Sequence, residues 1–263
     1  MYPELLKIGS ISIKTYGFFV ALGFIAGLEY IKKNSGKFGF DKNLVTDLSF
    51  YLLISGIIGA RIFYVILDFH YYRNNLLDIF KVWQGGLVFY GGFIFSLVVG
   101  LIYCFKKNIN IFKIFDLFAP GIFLGLSIGR LGCLCAGCCY GKETDLPWGI
   151  IFTNPECLAP IGKKIHPTQI YESIFCFINF LILNKKNNKK LFDGTTFFTG
   201  VLLYSVYRFL IEFLRGDDRG SLILGMYPSM FISIIIIIVS IIFFIYVRHK
   251  KISNNQTVLK ETS

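Results

Sequence analysis

The sequence predicts an all-α membrane protein with seven transmembrane helices and an outward-facing, partly irregular head segment. Of the 263 residues, 54% are apolar or aromatic and only 16% are charged, and the mean hydropathy is +0.61. Ordinary soluble chains carry about 25% charged residues, because their surface needs polar cover. This composition excludes soluble, disordered, fibrous and disulfide-scaffold classes. The second observation is a series of apolar stretches of membrane-spanning length.

Seven stretches are long enough to cross about 30 Å of hydrocarbon at about 1.5 Å per residue. They lie near residues 13–31, 46–67, 86–105, 114–132, 168–184, 195–214 and 227–247. The first is too long for the apolar region of a signal peptide, and no basic run precedes it, so we expect a retained span. We expect one polytopic membrane domain over residues 1–250, followed by a polar cytoplasmic tail over 251–263.

The basic residues indicate the orientation of these spans. Fifteen of the 27 Lys and Arg residues fall at 32–45, 106–113, 185–194 and from 248 onward. All of these segments lie on one side of a seven-span chain, and the positive-inside rule makes that side cytoplasmic. The N-terminus is then outside and the C-terminus inside. The net charge of +11 is thereby explained without a nucleic-acid partner. The longest connections, 68–85 and 133–167, face outward and form the head.

Arg61, Arg130 and Arg208 lie within or at the end of predicted spans. An arginine near the bilayer centre costs about 2.5–3.5 kcal/mol even on the most lenient scale. Each must therefore pair with an acid, lie near the interface, or line a polar cavity. Snorkelling or a structural ion pair is the alternative to a functional role. The acidic partners available within spans are Asp116, Glu172 and Glu212.

The sixth span carries a polar stripe. Arg208, Glu212 and Arg215 recur at i, i+4 and i+7, which predicts one shared helix face. Two arginines around one glutamate leave a positive charge that suits a phosphate, with Glu212 holding both guanidinium groups.

Glycines mark close helix packing and irregular backbone. Gly121, Gly125 and Gly129 form a small-residue face on the fourth span, which predicts close approach of another helix to Arg130. The pairs Gly85-Gly86 and Gly91-Gly92 at the outer end of the third span predict irregular backbone.

Two further clusters carry chemical side chains. His166, Gln169 and Glu172 are spaced by three residues and are expected to share a face at the outer membrane edge, as a helix-start polar cluster or as a proton and phosphate site. Four cysteines lie within residues 133–139. A metal site, a disulfide and simple packing are the alternatives, and the absence of a second CxxC favours packing or a disulfide.

Together these residues resemble the prolipoprotein diacylglyceryl transferase family over nearly the whole chain. The matching motifs are Tyr16-Gly17, Gly59-Ala60-Arg61 with Tyr64, Gly85-Gly86 with Gly91-Gly92, Gly129-Arg130-Leu131-Gly132, His166-Pro167-Thr168-Gln169-Ile170-Tyr171-Glu172, and Arg208-Phe209 with Glu212-Phe213 and Arg215. The resemblance implies a multi-pass enzyme of the bacterial inner membrane. It implies transfer of the diacylglyceryl group of phosphatidylglycerol to the lipobox cysteine of a prolipoprotein carrying its signal peptide. Neither a metal nor an organic cofactor is expected.

The resemblance also implies site residues. Arg130 and Arg208 are expected to hold the phosphate, with Glu212 and Arg215 orienting them. The expected catalytic set is Arg130, Arg208, Tyr90, His166 and Glu212. The expected substrate-binding set is Arg130, Tyr16, Arg61, Gln169, Tyr171, Glu172, Tyr204 and Arg215.

The chain departs from the family pattern at two positions. Tyr90 stands where family members commonly carry His, and Cys133 stands where many carry Asn. Tyrosine has a pKa of about 10 and is a weaker base than histidine near neutral pH. Three alternatives follow: Tyr90 is the catalytic base, His166 is the catalytic base, or the chain is a divergent relative with another acceptor. The rival functions are an anion or phospholipid transporter that uses the arginine face, and a membrane thiol oxidoreductase built on Cys135 and Cys138.

Overall fold

A computed structural model describes residues 1–8, 11–82, 85–189, 192–218 and 225–261. Its helices are α1 Thr15–Asn34, α2 Lys42–Leu67, α3 Phe69–Tyr72, α4 Phe89–Lys106, α5 Ile111–Ala136, α6 Thr168–Asn187, α7 Thr195–Ile211 and α8 Pro228–Glu261. Two short antiparallel pairs join β1 Glu4–Ile8 to β2 Ile11–Lys14 and β3 Ile150–Ile151 to β4 Lys164–Ile165. Helix α8 runs on into the predicted tail, whose last two residues lie outside the described part.

A long helix occupies each of the seven predicted stretches. Five of them are long and apolar enough to cross a membrane: α2, α4, α5, residues 195–214 and residues 228–250. The expectation of a helical, multi-pass membrane protein is thereby confirmed, and the full set of seven spans stays a prediction. Helix α6 is less apolar because one of its faces buries polar side chains, namely Thr168, Gln169, Glu172 and Asn179.

The described chain separates into two compact units. The discontinuous unit contains Met1–Tyr30 and Phe115–Ser263, and the inserted unit contains Ile31–Ile114.

In the discontinuous unit, α1 and α5 touch backbone to backbone. A Cβ added at Gly23 meets the Gly125 carbonyl oxygen at 2.5 Å, and one at Gly27 meets the Gly121 oxygen at 2.7 Å. The close approach predicted from the glycines of α5 is therefore confirmed at Gly121 and Gly125. Gly129 differs, since among the described residues no atom outside its own stretch of helix lies within 4 Å of its Cβ position.

Helices α5, α6 and α7 share an apolar core. Its buried members are Ala119, Phe123, Cys176 and Leu183, and the Tyr204 ring packs against them. Helix α8 lies against α7, where the rings of Phe198 and Phe243 stack 3.9 Å apart. This packing fixes the positions of the polar side chains where α5 ends, α6 begins and α7 ends.

Residues 137–167, which belong to the predicted head, are joined by backbone hydrogen bonds to the residues that follow α7. The Lys142 N–H donates to the Leu214 carbonyl at 2.8 Å, and the Gly216 N–H donates to the Tyr140 carbonyl at 3.0 Å. A small apolar cluster of Phe152, Cys157, Ala159 and Ile165 fills the segment.

The inserted unit is built on α2 packed against α4. A Cβ added at Gly91 meets the Gly59 oxygen at 2.5 Å, so the contact tolerates no side chain at either position. Irregular backbone is confirmed at Gly85 and Gly86, with φ of 93° and 72°. The same prediction is wrong for Gly91-Gly92, which lie in the first turns of α4. The lack of side chains at these two glycines allows α4 to pack closely against α2.

Candidate active site

Arg130, Glu172 and Tyr204 converge from three helices of the discontinuous unit. The Arg130 Nη2 atom lies 2.7 Å from Glu172 Oε1, and the Tyr204 hydroxyl donates to the same oxygen at 2.7 Å. Glu172 is almost fully buried, whereas the Arg130 side chain keeps 19% of its surface exposed. The guanidinium is thus anchored on one side by a buried carboxylate and accessible on the other.

Arg208 forms a second ion pair nearby along α7. Its Nη1 atom lies 2.8 Å from Glu212 Oε2, and both side chains are largely buried. Arg208 follows Tyr204 by four residues, so the two share one face of α7. Since Tyr204 reaches Glu172, Arg208 lies one helical turn along from the Arg130 cluster. Both predicted phosphate-binding arginines therefore border the same face of α7, in separate ion pairs.

Arg215 does not join this stripe, and the predicted pairing of two arginines around Glu212 is wrong. Helix α7 ends at Ile211, a 3-10 turn follows, and Arg215 takes an extended conformation with ψ of 139°. Arg215 is buried and forms a bidentate pair with Asp217, with N–O distances of 2.7 and 2.6 Å. The i+7 spacing failed because it assumed that the α-helix continues.

Two thiols lie at the other edge of the Arg130 guanidinium, and a third is close to both of them. The Nη1 atom lies 3.5 Å from Cys139 Sγ and 3.9 Å from Cys133 Sγ, and the sulfurs of Cys133, Cys138 and Cys139 lie within 4.8 Å of one another. All seven cysteines are free. Hydrogen bonds from Cys133 and Cys138, and then the charges of Arg215 and Arg130, hold the pKa of Cys139 well below its usual range. Hydrogen bonds with Cys133 and Cys139 raise the pKa of Cys138.

The first turn of α6 holds this cysteine segment in place. The Thr168 hydroxyl donates to the Cys139 carbonyl at 2.6 Å, and the Gln169 amide donates to the Cys138 carbonyl at 2.7 Å. Gln169 is fully buried, and its Oε1 has no hydrogen-bond partner among the described residues. Sequence reasoning missed Thr168, because a hydroxyl that donates to a carbonyl 29 residues away leaves no local pattern.

His166 does not share a face with Gln169 and Glu172. Helix α6 starts at Thr168, and His166 precedes it in a backbone pairing with Lys142. The His166 Nδ1 atom lies 3.4 Å from the Tyr171 hydroxyl, which accepts a hydrogen bond from the Trp148 indole at 2.7 Å. The predicted three-residue cluster therefore divides, with Gln169 and Glu172 buried and His166 half-buried beside Tyr171.

Tyr16 is the second residue of α1, and it lies beside the helix that carries Arg130. A Cβ added at Gly132 meets the Tyr16 carbonyl oxygen at 3.1 Å. The phenol is half exposed and within electrostatic range of Arg130 and the three thiols. A substrate contact for Tyr16 remains a prediction.

Arg61 and Tyr90 belong to the inserted unit. The buried Arg61 guanidinium donates to four backbone carbonyls, at 2.5–3.1 Å, on Asp78, Ile79, Gly85 and Gly86. The rings of Tyr64 and Tyr72 flank it. These contacts give Arg61 a structural role in closing the loop before α4, and the predicted substrate contact stays untested. Tyr90 is half exposed at the second residue of α4.

Replacing Arg61 with lysine is expected to open this loop. A single ammonium cannot span four carbonyls on two chain segments, and a hydrogen bond to a charged group contributes about 1.5–3 kcal/mol. Amide exchange over residues 76–88, measured by mass spectrometry, should accelerate by about tenfold or more. The matched control is Arg73→Lys at an exposed arginine of the same unit. Equal exchange in the two variants would contradict this structural role.

Comparison with known proteins identifies the family of this chain. The family model described as prolipoprotein diacylglyceryl transferase matches residues 3–246. A phosphatidylglycerol–prolipoprotein diacylglyceryl transferase of Clostridium tetani is 38% identical over 254 residues, covering 95% of this chain and 100% of the relative. The second such transferase of Clostridium perfringens is 38% identical over 239 residues, covering 90% and 92%. The Staphylococcus aureus enzyme is 36% identical over 257 residues, covering 94% and 90%. By both measures, the chain belongs to the prolipoprotein diacylglyceryl transferase family.

Proposed function

We propose that this protein transfers the diacylglyceryl group of phosphatidylglycerol to the lipobox cysteine of prolipoproteins. The acceptor thiol loses its proton, and its sulfur forms a bond to the glyceryl carbon next to the phosphate. The bond from that carbon to the phosphate oxygen breaks, and glycerol phosphate leaves with the electron pair. The products are a thioether-linked lipid and glycerol phosphate.

The observation that carries the proposal is the anchoring of two arginines at one face of α7. Arg130 and Arg208 bind the phosphate and neutralise the charge that grows on it as the carbon–oxygen bond breaks. Glu172, with Tyr204, and Glu212 hold the guanidinium groups in position before the substrate binds. Preorganised donors of this kind cost no rearrangement during the reaction.

Two side chains of this chain are candidates to accept the acceptor's proton. His166 stands at the head, next to Tyr171. Tyr90 stands at the start of α4, where family members commonly carry His. Because a free cysteine is already a few per cent thiolate near neutral pH, modest assistance is sufficient.

The membrane setting that we propose has seven spans, with the N-terminus outside and the C-terminus in the cytoplasm of a bacterium. In this arrangement α1 and α6 are the two spans in addition to the five apolar helices, and the lysine-rich connections lie in the cytoplasm. The head and the arginine sites then face outward, where a prolipoprotein presents the lipobox at the end of its signal peptide.

The direct test is mass spectrometry of a lipobox peptide after incubation with the purified protein and phosphatidylglycerol. We expect one diacylglyceryl group on the cysteine and an equal amount of released glycerol phosphate, with no product from the matched serine peptide. Movement of labelled lipid across proteoliposomes without release of glycerol phosphate would support a transporter instead. Redox change of the peptide without lipid attachment would support an oxidoreductase.

A further inference from the structure

The thiols of Cys133, Cys138 and Cys139 lie where one cation can reach all three. Their sulfurs are within 4.8 Å of one another, and none is in a disulfide. A tetrahedral zinc ion with zinc–sulfur bonds of about 2.3 Å holds its thiolates about 3.8 Å apart. Side-chain movements of about 1 Å therefore suffice to bring the three sulfurs to that spacing.

The backbone adopts an uncommon conformation to bring these thiols together. Gly137 and Cys139 both have positive φ, of 74° and 61°. Among the described residues, Cys139 is one of only two non-glycine residues in that region, and such a conformation persists where surrounding contacts hold it. Thr168 and Gln169 supply those contacts through the Cys139 and Cys138 carbonyls. Packing alone does not explain a cysteine here, since glycine would take this conformation without strain.

Charges around the cluster suit a thiolate-bound cation. The Arg130 guanidinium donates a hydrogen bond to the Cys139 sulfur at 3.5 Å, and the positive charge of Arg215 lies within electrostatic range of the same sulfur. Each of these arginines is already paired with its own carboxylate, Glu172 or Asp217, so neither adds an unpaired positive charge beside a bound cation. Cys138 and Cys139 are partly exposed and provide a route of entry.

We propose that Cys133, Cys138 and Cys139 form a three-thiolate zinc site whose fourth coordination position is open to an external thiol. Three protein ligands with one open position is the arrangement of catalytic rather than structural zinc sites. A thiol that binds there displaces a zinc-bound water, loses its proton to solvent and keeps its charge on sulfur. This inference rests on the proposed function, in which the external thiol is the lipobox cysteine and Arg130 lies beside the site. It also supplies an acceptor thiolate in a chain that has Tyr90 in place of the family's His.

Zinc content tests the site directly. The full chain, purified in detergent with a non-chelating phosphine reductant, is loaded with Zn²⁺, desalted and analysed by inductively coupled plasma mass spectrometry. We expect one zinc per chain, lost in Cys138→Ser and Cys139→Ser. The control Cys104→Ser, at a buried cysteine of α4 in the inserted unit, is expected to retain zinc. Equal zinc content in the wild type and Cys138→Ser overturns the site.

Cadmium reports the ligands in the wild type, independently of whether a variant folds. Cd²⁺ in place of Zn²⁺ should give an ultraviolet thiolate charge-transfer band of three-sulfur intensity. A cysteine-containing lipobox peptide should raise it toward four-sulfur intensity, and the serine peptide should not. The inference would be overturned by a missing band or by a band that does not change with the cysteine peptide. A Cys133–Cys138 disulfide in protein isolated from membranes would also overturn it. Peptide lipidation is scored separately, so that lipidation without zinc binding overturns this site alone, and zinc binding without lipidation contradicts the proposed function.

Discussion

The Arg130→Ala variant is expected to lose transfer activity by about 10²–10³-fold, the loss typical of removing one preorganised donor from a developing anion. The variant should also unfold more readily, by about 3–5 kcal/mol, because Glu172 is left as a buried charge without its arginine. Activity is measured as lipidated peptide per unit time at saturating phosphatidylglycerol. Stability is measured by unfolding in detergent.

A double variant separates the chemical effect from the structural one. Arg130→Ala combined with Glu172→Gln removes the uncompensated charge, while the amide oxygen of the substituted side chain still accepts from Tyr204. We expect stability to recover substantially and activity to stay low. If activity recovers together with stability, Arg130 has only a structural role. The control for purification and assay is Arg73→Ala, at an exposed arginine of the inserted unit.

The Arg208→Ala variant is expected to lose about 10²-fold or more in activity, for the same electrostatic reason. If both arginines act on one leaving phosphate, the Arg130→Ala/Arg208→Ala variant should be much less impaired than the product of the single effects, because residues that act as a unit are non-additive. Glu212→Gln keeps Arg208 and removes only its ion pair, so a smaller loss is expected. Full activity in both single arginine variants would exclude the phosphate-binding role.

The helices were predictable from the sequence because membrane spans are local features. Apolar length alone placed seven helices, and the glycines of α5 indicated the close contact with α1 at Gly23. Helix α6 shows the limit of that reasoning. Its buried face is polar, so hydropathy alone underestimates how deeply the helix is buried. The burial of Glu172 and Asn179 is explained only by the packing of α6 against α5 and α7.

The sequence pointed to the charged residues of the candidate site and less to their contacts. Arg130, Arg208, Glu172 and Glu212 stand out because charges are rare in apolar helices. The error at Arg215 arose where α7 gives way to a 3-10 turn, a change that helical spacing cannot anticipate. His166 was assigned to the wrong set for a related reason, since the helix begins two residues later.

By itself, the sequence determined the membrane class, the positions of the helices and the arginines that need a partner. Those properties follow from composition and from short-range periodicity along the chain. Only the tertiary structure decided that Arg130 pairs with Glu172, 42 residues along the chain, because that contact depends on how α5 packs against α6. It also decided that Arg215 pairs with Asp217 and that three thiols come together at the end of α5, because these contacts depend on where α7 and α5 end.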